Sequence, residues 1–160
     1  MFGKRVVKSL ELKAPPLVVV LLTGLLMWLV SWFMPACRRL VLPGRQLVSA
    51  NVAAIGVIVC SLGVVRFRRT KTTVNPMKPG SASSLVVSGI YQFTRNPMYL
   101  GMLLVLTGWA IFLSNALSFL FLPAYVFYMN RFQIRPEERA LASKFGQDFA
   151  DYRSKVRRWL

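Results

Sequence analysis

Four apolar runs punctuate the chain, at Leu17 to Phe33, Leu47 to Val65, Met98 to Leu113 and Ala116 to Met129, and none holds a charged residue. Runs of this length and polarity predict transmembrane helices, so the fold class expected is an all-α polytopic membrane protein with four spans. Only Ser114 and Asn115 separate the last two runs, which predicts a tight antiparallel hairpin. At about 1.5 Å per residue the third run reaches roughly 24 Å, short of a hydrocarbon core about 30 Å thick. The hairpin helices are therefore expected to extend into adjoining sequence. For the fourth that extension is Asn130 to Ile134, where Arg131 snorkels or faces a protein cavity.

The pattern changes on either side of this hairpin. Between the second and third runs, Pro76, Pro79, Gly80 and Gly89 predict an irregular loop, with a short extended piece at Leu85 to Val87. So long a connection is uncommon unless it has a role. After the fourth run, Leu141, Phe145, Phe149, Tyr152, Val156 and Trp159 recur at steps of three or four. That stripe predicts an amphipathic helix docked on the bundle or the membrane surface. Pro136 suits its first position, and Glu137 and Glu138 suit its first turn. The chain thus reads as one membrane domain: a scaffold helix pair (1–65), a cytoplasmic loop (66–97), a helix hairpin (98–134) and a C-terminal amphipathic helix (135–160).

Charge adds an orientation. The chain has 21 Lys plus Arg against 5 Asp plus Glu, a formal net charge of +16. Because the basic residues are segregated from the apolar runs, the excess points to membrane topology and lipid contact rather than nucleic acid. Only Arg38, Arg39 and Arg45 fall on one side; the rest lie in the N-terminal segment, the central loop and the tail. The positive-inside rule then places both termini and the loop in the cytoplasm, at the inner membrane for a bacterial source. There is no histidine, which removes Ser-His-Asp hydrolysis and HExxH metalloprotease chemistry. Cys37 and Cys60 form no CxxC pair, so neither a disulfide framework nor a metal site is indicated. No GxGxxG or GxxxxGK[ST] occurs, and the soluble nucleotide cradles are absent.

The chemistry-bearing residues gather at two places: YQFTRNPMYLG, residues 91 to 101, at the entrance to the third run, and RPEER, residues 135 to 139, after the fourth. Each has an ordinary reading. Asn96 and Pro97 suit an N-cap and first helical position, with Arg95 before them. Glu137 and Glu138 suit a helix dipole, and Tyr91 and Tyr99 suit an interfacial aromatic belt.

Taken together, GIYQFTRNPMYLG followed by RPEERALASKFGQDFADYRSKV resembles the C-terminal signature of the isoprenylcysteine carboxyl methyltransferase family and its phospholipid methyltransferase relatives. That signature is Gly-x-Tyr, then Arg-His-Pro-x-Tyr-x-Gly, then a paired-acid segment with Phe-Gly and Tyr residues. The likeness covers about half of the chain, residues 84 to 158. It implies an integral-membrane enzyme using S-adenosylmethionine. By the same resemblance, Tyr91, Asn96, Pro97, Met98 and Tyr99 line the cofactor pocket, and Ser84, Leu85 and Val86 give it backbone contacts. Glu137 holds a polar part of the cofactor, with Glu138 in support. Arg131 and Arg95 are the candidates for substrate contact or positioning. Two departures stand out: Asn96 replaces the usual histidine, and Gln133 occupies the position of an arginine that contacts substrate.

Methyl transfer is an in-line displacement, so catalysis is largely alignment and exclusion of water. A carboxylate, with a pKa near 4, is already ionised at neutral pH, whereas an ammonium must first lose a proton. The lack of histidine therefore leans toward a carboxylate or thiol on a lipophilic acceptor that enters from the bilayer. Phospholipid amine methylation, an NADPH-dependent membrane reductase and a non-catalytic anchor are the alternatives.

Overall fold

The computed structural model describes residues 11–35, 43–70 and 83–160. The basic residues Lys4, Arg5, Lys8, Arg38 and Arg39, together with Cys37 and the loop residues Pro76, Pro79 and Gly80, lie outside the described residues. Among the described residues every regular element is helical.

Helix α1 (Pro16–Phe33) starts with proline at its first turn, where no N–H is needed, and runs for 18 residues. The hydroxyl of Thr23 donates to Val19 O at 2.7 Å, so it crosses the apolar run satisfied. Helix α2 (Arg45–Arg69) follows Gly44, which takes the left-handed conformation, and runs for 25 residues. These two helices are long and apolar enough to cross a membrane. Helix α3 (Pro97–Leu113), with 17 residues, is a shorter apolar helix.

The closest packing in the fold joins α2 to α3 through glycine. A Cβ placed on Gly56 would lie 2.6 Å from Gly101 O, and one on Gly101 would lie 2.5 Å from Gly56 O. Gly108 sits the same way over Ser49, and Gly63 over Met98. The seven-residue spacing of Gly56 and Gly63 along α2, and of Gly101 and Gly108 along α3, keeps these positions on one helix face. Without side chains the backbones approach far enough to interlock, as small residues allow between membrane helices. This seam fixes the start of α3, and with it residues 95 to 99.

The fourth apolar run departs from the expectation of a single helix. Ser114 takes the left-handed conformation and Asn115 is extended, giving the tight turn that the sequence predicted. Asn115 is fully buried; its Oδ1 accepts from Leu117 N at 2.9 Å and its Nδ2 donates to Met34 O at 3.1 Å. A 3-10 turn (Ala116–Leu120) follows, then α4 (Phe121–Tyr128), a π-helical turn (Met129–Ile134) and α5 (Arg135–Lys155).

Pro136 therefore does not begin a separate helix: Ile134 and Arg135 are already helical and α4 passes into α5. The reason is local. Proline has no N–H and crowds the carbonyl four residues back. Widening to a π turn, with Arg135 N donating to Asn130 O, relieves that clash. The freed Phe132 carbonyl accepts from Leu12 N instead, at 3.0 Å. Gln133 Nε2 donates to Ala14 O, and Glu11 pairs with Arg131 at 3.1 Å and with Arg139. The segment before α1 is thus strapped to the π turn.

In α5, Phe149 of the apolar stripe is buried, and Leu141, Phe145, Tyr152, Val156 and Trp159 are half-buried. The helix ends at Lys155, so Val156 and Trp159 belong to an extended tail. Gly146 interrupts the helix with φ 51° and ψ −119°, a region only glycine enters cheaply. Residues 85–87 form no strand, and Gly89–Gln92 is a 3-10 turn that the sequence did not predict.

Candidate functional site

The two polar clusters meet. Tyr99, buried one turn into α3, donates its hydroxyl to Glu137 Oε2 at 3.1 Å, across 38 residues of sequence. Arg95 pairs with Glu138 at 3.2 Å. Behind Tyr99, the Tyr125 hydroxyl donates to Tyr99 O at 3.4 Å, so the α4 helix braces the same backbone.

The ordinary helix-start readings fit less well. Asn96 occupies the N-cap position of α3 without making a side-chain cap. Its Nδ2 donates instead to Arg158 O at 2.8 Å, and its backbone N–H donates to Thr94 Oγ1 at 3.2 Å. Pro97 is buried at the first turn. Glu137 and Glu138 stand where α5 continues from the π turn, so no free helix N-terminus faces them.

Burial dominates the electrostatics. A margin of Glu137 stays accessible, yet its carboxyl is desolvated enough that its pKa rises from 4.5 to about 7. The Tyr99 hydrogen bond opposes that rise and the charge of Glu138 adds to it. Burial also pushes the Tyr91 phenol upward, with the negative charge of Glu137 as the next cause. Arg95 is lowered by burial, against the pull of Glu138.

Several buried polar atoms here lack a hydrogen-bond partner among the described residues: Ser84 Oγ, Tyr91 Oη, and Arg95 Nε and Nη1. Such atoms are costly unless something satisfies them. The Tyr91 carbonyl is used by the Tyr152 hydroxyl at 2.7 Å, and its ring meets Phe67 edge-on at 5.3 Å. Val86 is buried, and Leu85 lies in the wall of a cavity of about 600 Å³ between residues 85–92 and the end of α5. Met98 packs over Gly63.

Arg131 lies apart from Arg95 in its partnerships: it pairs with Glu11 and stacks over Phe132 at 5.7 Å. Gln133 is fully buried on the same strap. Sequence reasoning missed Glu11, Thr94, Asn130 and Arg158. In the sequence Arg158 is one more tail charge, and its signal is its place beside Trp159, whose Nε1 donates to Asn130 Oδ1 at 3.3 Å.

A family model, phospholipid methyltransferase, matches residues 45–148, a stretch that holds both clusters. The chain belongs to the phospholipid methyltransferase family. Similarity to individual proteins is partial. A Haemophilus influenzae protein named only as uncharacterized is 46% identical over 63 residues, covering 39% of this chain and 100% of that protein. The protein-S-isoprenylcysteine O-methyltransferase of Tribolium castaneum is 36% identical over 115 residues, covering 64% of this chain and 39% of that enzyme. The enzyme of the same name from Schizosaccharomyces pombe is 35% identical over 72 residues, covering 45% of this chain. The chain spans 39% and 30% of the lengths of these two enzymes.

Proposed function

We propose that this phospholipid methyltransferase family member is a multi-pass membrane methyltransferase that uses S-adenosylmethionine to methylate a carboxylate or thiol on a lipophilic acceptor. The observation that carries the reading is the Tyr99–Glu137 hydrogen bond at 3.1 Å, which joins the two clusters into one site. The donor set suits the cofactor. Glu137 offers a carboxylate to its ammonium, Tyr91 and Tyr99 offer aromatic faces, and Ser84, Tyr91 and Arg95 hold buried polar atoms in want of partners.

When bound, S-adenosylmethionine supplies a methyl group on a sulfonium, open to in-line displacement. The protein's part is binding and alignment. Tyr99 holds Glu137 in place and favours its charged form. Asn96 binds without exchanging a proton, since an amide does not titrate. Pro97, Met98 and Val86 give apolar walls, Leu85 and Ser84 backbone contacts, and Glu138 anchors Arg95. Arg95 is the better placed of the two candidate arginines for positioning. Arg131 tethers the N-terminal strap through Glu11. In this reading α1, α2, α3 and the α4 segment are the four spans, both termini are cytoplasmic, and α5 lies at the cytoplasmic surface with Phe149 and Tyr152 of its apolar stripe turned toward the protein.

The test is transfer of a radiolabelled methyl group from S-adenosylmethionine to membrane extracts by the purified chain. Label in base-labile esters or volatile thioethers is expected. Label confined to phospholipids would select the amine reading that the family name favours. Binding of NADPH without binding of S-adenosylmethionine would overturn methyl transfer altogether.

A further inference from the structure

Arg158 lies beyond the stretch matched to the family, yet it touches both polar clusters. After Lys155 the chain turns extended at Val156 (φ −121°, ψ 132°) and runs back along residues 94–96. The Arg157 carbonyl accepts from Arg95 N at 3.1 Å. The Arg158 carbonyl accepts from Asn96 Nδ2 at 2.8 Å and from Thr94 Oγ1 at 3.3 Å. The guanidinium forks onto Glu138, Nε to Oε1 at 3.1 Å and Nη2 to Oε2 at 2.6 Å. Its Nη1 reaches Asn130 Oδ1 at 3.5 Å.

We propose that Arg158 is a positioning residue of the candidate site, its guanidinium fixing Glu138 and its carbonyl fixing Asn96, so that the two clusters stay in register. This rests on the reading of that site as the cofactor pocket. The forked geometry is one that arginine offers and lysine does not. Glu138 is held between two guanidinium groups, with side-chain exposures of 10% for Arg95, 28% for Arg158 and 14% for Glu138. At that burial the pairing is screened less than a surface ion pair.

The arrangement also sets the charge around Glu137. Glu138 pushes Glu137 toward protonation, and the Tyr99 hydroxyl pulls the other way. Tyr91 faces Glu137, while Tyr152, Arg153 and Arg158 surround Arg95. Removing the Arg158 charge leaves Glu138 balanced by Arg95 alone, which moves the Glu137 titration upward.

The experiment uses the full chain in detergent micelles with 13C-labelled glutamate, of which the chain has Glu11, Glu137 and Glu138, with Glu137→Gln to assign the Glu137 resonance. The midpoint of Glu137 in Arg158→Gln is expected to rise by about half a unit or more. Arg158→Lys is expected to keep the wild-type midpoint and to bind S-adenosylhomocysteine about 3- to 10-fold more weakly, because the fork is lost. An unchanged midpoint in a folded Arg158→Gln overturns the proposal. Should that variant fail to fold, Arg158→Lys decides: wild-type affinity overturns it. A wild type that binds no S-adenosylhomocysteine sinks the cofactor reading and leaves the titration to judge Arg158.

Discussion

The seam between α2 and α3 and the junction at Glu137 both bring distant stretches of chain close together, by opposite chemistry. At the seam nothing is offered but the absence of side chains: Gly56 and Gly101 let backbone meet backbone. At the junction Tyr99, Arg95, Glu137, Glu138 and Arg158 are joined by directed hydrogen bonds and charge. The seam should ignore pH and tolerate no added bulk. The junction should tolerate modest changes of bulk and respond to pH. The contrast separates what holds the fold from what we propose holds a ligand.

The largest expected effect comes from filling the seam. In Gly101→Leu a side chain must go where a Cβ alone would lie 2.5 Å from Gly56 O. Overpacking of this kind costs about 3 kcal/mol or more. Thermal melting in detergent should fall by many degrees, and cofactor binding should fall with it because α3 carries Tyr99. A variant with wild-type melting would break the account of the seam.

Next comes Glu137→Gln, which removes the junction's carboxylate while keeping its shape. Loss of a charge-assisted contact predicts roughly 100-fold weaker S-adenosylmethionine binding. Melting should hold or improve, since a desolvated carboxylate is replaced by a neutral amide. The direction of that second change sets the junction apart from the seam, and calorimetry with a parallel melt reads both.

A smaller effect, and the sharpest contrast, is with pH. Glu137 titrates near 7 rather than 4.5. The folded state therefore binds the proton more tightly than the unfolded one. The free protein should lose stability as pH rises from about 5 through 7. A cationic ligand prefers the charged carboxylate, so its affinity should rise over the same window, by several-fold between about pH 6 and 8. In Glu137→Gln both slopes should flatten, while Gly101→Leu should keep the slope of stability with pH at a lower overall level. Parallel rather than opposed slopes in the wild type would contradict the assignment.

Much of this was legible in the sequence. Charge-free runs mark α1, α2 and α3 as apolar helices, of which α1 and α2 are long enough to cross a membrane. The step of three and four ran through Phe149, which is buried, and Tyr152, which is half-buried, but also through Val156 and Trp159 beyond the end of α5. The pairing of the RNPMY and EE segments was visible through their family resemblance. Three features were not. Pro136 looked like a helix start, and only the Leu12 contact to Phe132 O shows how a helix continues through it. The glycine seam went unread, because Gly56 and Gly101 are single small residues in apolar runs and which helices share them is a long-range fact. Arg158 was hidden among many basic residues, and its neighbour Trp159 alone does not tell a half-buried clamp from a solvated charge.

The most direct test of the central claim, that the two clusters grip one ligand, is a double-mutant cycle. Affinity for S-adenosylhomocysteine would be measured by calorimetry for wild type, Tyr99→Phe, Glu137→Gln and the double variant, with melting curves to certify folding. If Tyr99 acts by holding Glu137, the double variant binds no more weakly than Glu137→Gln alone, a coupling of about 1 kcal/mol. Strictly additive losses, or full affinity in both single variants, would contradict the claim.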